Sequence, residues 1–210
     1  MAADVPAWVQ KDRDFVVALA FCALCAYSII SAIRASDIYL RIELAASLPI
    51  NLLAGCSFLT RRLPVERTAK GEYAVPLVSF AMPFFILNVG LFSPVSYSYP
   101  PFLVLGACAI VLAIVSIIYL RESFAILPAV RRIVDRGPYC VVRHPLYLAE
   151  MLYVLGFMLM GFNLLSIAFF VILVATTVWR ILIEERKLGR HAEYRNYMSK
   201  VRYRLVPGLF

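Results

Sequence analysis

The sequence predicts an all-α, polytopic membrane protein, on three observations. Hydrophobic residues make up 62% of its 210 residues and charged residues only 16%, well outside the range of soluble domains. The apolar residues fall in blocks long enough to span a bilayer, separated by polar punctuation. The basic residues collect in some of the loops between the blocks and are absent from others.

Six hydrophobic segments follow in order, at about 15–33, 42–60, 74–92, 102–120, 146–161 and 164–183. The first is preceded by Asp4, Lys11, Asp12, Arg13 and Asp14 and lacks a small-residue cleavage pattern, so it reads as a transmembrane helix and not as a cleaved leader. Pro83 marks an expected kink in the third, which neighbouring helices can accommodate. The fifth holds about 16 residues, or roughly 24 Å of helix, short for a full span. With the sixth it forms an expected helical hairpin turning at Gly161-Phe162-Asn163. The whole is read as one integral membrane domain, with 1–120 as a four-helix scaffold and 121–210 as the region that carries the chemistry.

Charge orients this arrangement. The N-terminus carries 2 basic residues, the 61–72 loop 4, the 121–143 loop 5 and the 180–210 tail 8; the 34–41 turn carries the other 2, and Ser93–Pro101 and the 161–163 turn carry none. Six passes put both termini on one side, and the excess of Lys and Arg makes that side cytoplasmic. The net charge of +8 is thereby explained without nucleic acid. Cys22-x-x-Cys25 has redox spacing only; on an apolar helix with no βαβ pattern nearby it reads as small core residues.

Two polar knots stand out at the ends of apolar helices, where charge is costly and marks a site. The first is Gly137-Pro138-Tyr139-Cys140-Val141-Val142-Arg143-His144-Pro145-Leu146-Tyr147. Proline disfavours helix at the residue before it and is welcome in a helix's first turn. Arg143 and His144 are therefore expected at the mouth of the fifth segment, beside free helix N–H groups. The bland alternative is a basic interfacial anchor. Glu150, three residues past Tyr147, shares its face; it either pairs with Arg143 or a tail arginine, or meets a bound cation.

The second knot is Arg180-Ile181-Leu182-Ile183-Glu184-Glu185. Arg180 and Glu184 are four apart and share a face, from which Glu185 turns away. An i,i+4 pair at the membrane exit is one reading. The other is a guanidinium holding a carboxylate, with Glu184 a turn further out for a cation or a ribose hydroxyl. Beyond it, Tyr194, Tyr197 and Val201 lie at helical spacing in a polar tail, placing it along the interface or folded over the hairpin. There is no Gly-x-Gly-x-x-Gly after a strand, no Walker loop, no zinc spacing and no nucleophilic serine motif.

Arg143-His144-Pro145-x-Tyr147 after Gly137-x-Tyr139, then Arg180-x-x-x-Glu184-Glu185-x-x-Leu188 and Tyr194-x-x-Tyr197, resembles the isoprenylcysteine carboxyl methyltransferase family, itself similar to the phospholipid N-methyltransferases. The resemblance covers about residues 120–208. It implies a membrane enzyme using S-adenosylmethionine in a cytoplasmic pocket beneath the tail. It implies that Arg131, Arg132, Ile133, Val134, Tyr139, His144, Pro145, Leu146, Tyr147 and Glu184 hold the cofactor, and that Arg180 sits against a substrate carboxylate. Arg180 and Glu184 are thus the expected catalytic pair, and no metal is called for. Two departures matter: Arg131 stands where the family often has histidine, and the Phe-Gly before the paired tyrosines is missing. The expected acceptor is the carboxylate of a lipophilic, isoprenylcysteine-like molecule. An amino-phospholipid is the alternative within the class. A sterol-type NADPH-dependent reductase and a non-catalytic lipid-binding protein are the alternatives outside it.

Overall fold

A computed structural model describes residues 7–34, 38–60, 99–120, 123, 133–158 and 164–210. Among these the chain is helical, with no strand. The helices are α1 (Ala7–Arg34), α2 (Ile38–Thr60), α3 (Tyr99–Leu120), α4 (Pro145–Met158), α5 (Leu164–Leu188) and α6 (Ala192–Lys200), with a 3-10 turn at Gly137–Cys140. Five of the six expected segments are therefore helical. The segment at 74–92 with Pro83, and the turn at 161–163, lie outside the described residues.

Helices α1 and α2 pack along their length, α2 meets α3, and α3 meets α4 and the 3-10 turn. The contacts use small residues. Ala18, Cys25, Ser28, Ala54, Ser57, Ala109, Ala113 and Ser116 are all buried. A Cβ at Gly55 would come within 3.3 Å of the Phe21 Cβ, so glycine there permits a close approach of α1 and α2. Large apolar side chains point the other way: Phe15, Leu19, Ile30 and Ile33 on α1, Val104 and Val111 on α3, and Leu164, Val171 and Trp179 on α5 are exposed. Small residues inside and large apolar ones outside is the pattern of helices solvated by lipid. Among the described residues two helices, Phe15–Arg34 and Leu164–Leu188, are long and apolar enough to cross a membrane. Cys25 is buried and Cys22 exposed, both as free thiols.

Hydroxyls within the apolar helices bond to their own backbone: Ser57 donates to the Leu53 carbonyl at 2.7 Å and Thr176 to that of Ile172 at 2.8 Å. Pro49 lies inside α2, tolerated because neighbouring helices support the freed backbone.

Helices α4 and α5 close on each other through Val154, Met158 and Leu173, with Phe169 and Phe170 against them. At the other end of this pair, Tyr147, Ile181 and Leu205 form a second cluster with Leu148, Met151 and Phe210. Leu205 and Phe210 belong to the tail, so the tail folds back onto the heads of α4 and α5. Tyr194, Tyr197 and Val201 are buried together against Ile133, Leu188 and Met198. Of the two placements open for the tail, folding back over the helices is the one observed, against the start of α4 and the last turns of α5.

Candidate functional site

The site is assembled where four pieces meet: the 3-10 turn, the head of α4, the last turns of α5 and the tail. Gly137 opens the turn at φ +60°, and a Cβ on it would lie 2.6 Å from Cε2 of Tyr119. Both the left-handed backbone and the ring of α3 require glycine. The turn buries Tyr139. The Tyr197 hydroxyl donates to the Tyr139 carbonyl at 2.6 Å, tying α6 to the turn.

Pro145 starts α4, as its chemistry demands. The N–H groups of Arg143 and His144 just before it donate to the carbonyls of Tyr203 and Arg204, each at 2.9 Å. The tail therefore supplies partners that a helix start cannot supply for itself. Arg143 is buried; its Nη1 donates to the carbonyls of Val201 at 2.8 Å and Arg202 at 3.0 Å, and its Nε to Glu185 Oε1 at 2.7 Å.

Two adjacent glutamates organise the rest. Glu184 Oε1 accepts the Tyr147 hydroxyl at 2.5 Å and lies 3.5 Å from Arg180 Nε. The Arg180 guanidinium stands 4.6 Å from the centre of the Tyr147 ring, and the His144 ring is stacked on Tyr147 with centroids 5.6 Å apart. Arg180 is only 3% exposed, so its charge depends on this surround. Glu184 and Glu150 are the acids that act on it. Glu185 Oε1 also faces His144 Nε2 at 3.2 Å, and Oε2 accepts Arg204 Nε at 2.8 Å.

The structure thus brings together Tyr139, His144, Pro145, Tyr147, Arg180 and Glu184 of the expected residues. Ile133 packs on the α6 tyrosines, and Val134 is half-buried beside it in sequence. The Leu146 side chain points elsewhere, against the core formed by Ala18, Phe21, Ala54 and Ile117. Arg131 and Arg132 lie outside the described residues.

Glu185 turns away from the Arg180 face, as helical spacing predicts, and enters a second buried cluster, because the tail brings Arg204 and the α4 entry brings Arg143 and His144 around it. Glu150 pairs with neither Arg143 nor a tail arginine; Arg180 is the charge that acts on it. The signal for Glu185 was its pairing with Glu184 at a helix end followed by arginines in the tail, but no local spacing connects it to residues 143 or 204.

The α6 and turn tyrosines are held as neutral phenols. Burial pushes Tyr139, Tyr194 and Tyr197 above the usual phenol range; Tyr197 and Glu184 add to the effect at Tyr139, and Glu185 adds to it at Tyr194. They serve as O–H donors and apolar walls.

Residues 102–193 match the family model of the phospholipid methyltransferases. This family is related to the isoprenylcysteine carboxyl methyltransferases, so the match agrees with the resemblance read from the motifs. It runs from α3 into α6 and includes both knots, Arg143–Tyr147 and Arg180–Glu185. It supports a membrane methyltransferase in general terms. Comparison with the curated proteins gives no match.

Proposed function

We propose that the protein is an S-adenosylmethionine-dependent methyltransferase acting on a lipophilic acceptor at the membrane surface. The observation that carries this reading is the buried Tyr147–Glu184–Arg180 group at the end of an apolar helix, roofed by the tail, inside the stretch that matches a methyltransferase family.

The residues present fit the cofactor. Glu184 Oε2 is an acceptor for a hydroxyl or an ammonium, since Tyr147 and Arg180 engage Oε1. Tyr139, His144 and Tyr147 offer flat ring surfaces for a purine. Ile133, packed on the α6 tyrosines, Val134 and Pro145 complete the set among the described residues, whereas Leu146 faces the α1–α3 core. Bound there, S-adenosylmethionine supplies an electrophilic methyl group on a sulfonium.

The remaining chemistry asks little of the protein beyond alignment and dryness. Displacement at a sulfonium by an anion neutralises charge and gains from leaving water. A carboxylate is already nucleophilic, so positioning does most of the work. In the carboxylate reading, Arg180 holds the acceptor's carboxylate and Glu184 holds Arg180. The acceptor is then an isoprenylcysteine-like lipid whose tail lies among the exposed apolar faces of the helices.

Methylation of a phospholipid amine is the second reading. The family match favours it, and so does the presence of two acids near Arg180, which draws a cation into the same pocket.

The test is calorimetric titration of S-adenosylmethionine into detergent-purified protein, with Glu184→Gln as control. Binding that is lost in the variant supports the reading; no binding to folded wild-type protein refutes it, and protection by NADPH instead would point to the reductase class. Methyl transfer to farnesylcysteine or to phosphatidylethanolamine then separates the two acceptors.

A further inference from the structure

Residues 201–204 are joined to residues 143–144 by two backbone bonds and by the Arg143 side chain. Arg204 adds a contact of a different kind, because it reaches past this seam to Glu185. Its own position is set by Phe210, whose ring lies 4.9 Å from the guanidinium and whose carbonyl accepts the Arg204 N–H at 2.9 Å.

The Glu185 carboxylate has only acceptors to offer. Oε1 takes Arg143 Nε and faces His144 Nε2, while Oε2 takes Arg204 Nε. The His144 nitrogen facing Oε1 must therefore carry the hydrogen. In a neutral ring the other nitrogen, Nδ1, is then an acceptor. It lies 3.9 Å from Glu184 Oε2, beyond hydrogen-bond reach. Arg204 is what holds the far oxygen of Glu185; without it the carboxylate is anchored at one oxygen only and is free to turn.

We propose that Arg204 is a positioning residue for the site: through Glu185 it holds the His144 ring with Nε2 as donor to Oε1 and Nδ1 turned towards Glu184. Arg204 touches neither cofactor nor acceptor in this account. Nδ1 and Glu184 Oε2 then stand side by side, 3.9 Å apart, where one ligand group can meet both. That last use rests on the methyltransferase reading; the state of the ring does not.

The experiment is nitrogen-15 NMR of histidine-labelled full-length protein in detergent. The chain has two histidines, His144 and His191, so His144→Asn assigns the signals. Wild-type His144 is expected to carry a hydrogen on Nε2. Arg204→Gln is expected to give a mixture of ring states, and Arg204→Lys, which keeps a cationic donor, to restore the single form. A merely structural role for Arg204 would leave the tautomer unchanged in folded Arg204→Gln protein, and that result overturns the proposal. A wild-type ring with no hydrogen on Nε2 overturns it without any variant. In parallel, Arg204→Gln is expected to weaken S-adenosylmethionine binding about tenfold, the equivalent of one hydrogen bond to a charged group, with recovery in Arg204→Lys. If wild-type protein binds no S-adenosylmethionine, the methyltransferase reading fails while the ring measurement still judges Arg204.

Discussion

Replacing Glu185 with alanine removes the acceptor shared by Arg143, His144 and Arg204. The magnitude follows from what each donor has left. Breaking a buried ion pair by removing one partner costs about 3–5 kcal/mol, because the other charge is stranded. Arg143 is the stranded charge, with 6% of its side chain exposed, but its Nη1 keeps the Val201 and Arg202 carbonyls. The cost at Arg143 therefore falls near the low end, about 3 kcal/mol. Arg204 adds little, since a third of its side chain reaches solvent and water replaces the lost oxygen. For a chain of this size about 3 kcal/mol corresponds to a drop of roughly 6–12 °C in melting temperature. The assay is thermal unfolding of purified protein in one detergent, monitored by loss of the monodisperse species. The paired variant Arg143→Met with Glu185→Leu removes both charges together and is expected to recover most of the loss. A shift of less than about 2 °C in Glu185→Ala, equivalent to under ~1 kcal/mol, would refute the placement of Glu185 as a buried centre of the tail contacts.

Other outcomes follow from single contacts. Tyr147→Phe keeps the ring beneath Arg180 and beside His144 but deletes the donor to Glu184; S-adenosylmethionine affinity is expected to fall about tenfold with little change in melting temperature, as read by calorimetry. Gly137→Ala is expected to destabilise by more than the ~1–2 kcal/mol of left-handed backbone, because the new Cβ also meets the Tyr119 ring; adding Tyr119→Ala should relieve the steric part and leave the backbone part, measurable in the same melting assay. Tyr197→Phe strands the buried Tyr139 carbonyl and is expected to cost about 1–3 kcal/mol. The raised phenols of Tyr139, Tyr194 and Tyr197 also set an alkaline limit. Their contribution is fully present below the unfolded phenol range near pH 10 and is lost as pH rises above it, since the unfolded chain ionises first and the folded one resists. Stability measured from pH 8 to 11 should therefore fall above about pH 10, less steeply in Tyr197→Phe; an unchanged slope would refute the burial of that phenol.

Helix positions were legible because apolar block length and polar punctuation are local properties. Five described helices coincide with expected segments within a few residues, apart from α1, which begins earlier, at Ala7. The α4 start was legible for the same reason: Pro145 restricts its own neighbours whatever the fold. The Arg180–Glu184 pair followed from helical spacing alone.

Contacts between residues about 20 to 60 positions apart had no such local trace. The Glu184-Glu185 pair marks a polar helix end, but no local spacing says that Arg143, His144 and Arg204 converge on Glu185; helical geometry gives only its departure from the Arg180 face. Leu146 sits between two site residues in sequence yet faces the α1–α3 core, because a helix turns each successive side chain by about 100°.

The sequence by itself determined the helices seen among the described residues, the location of the polar knots and the chemical class they resemble, since these depend on composition and on spacing within one helix. Only the tertiary structure decided that the tail folds over the heads of α4 and α5, and that Glu185, not Glu184 alone, holds the entrance together. The physical reason is that buried charges must find partners wherever the chain can bring them, and here the partners of one carboxylate come from three separate stretches of the sequence.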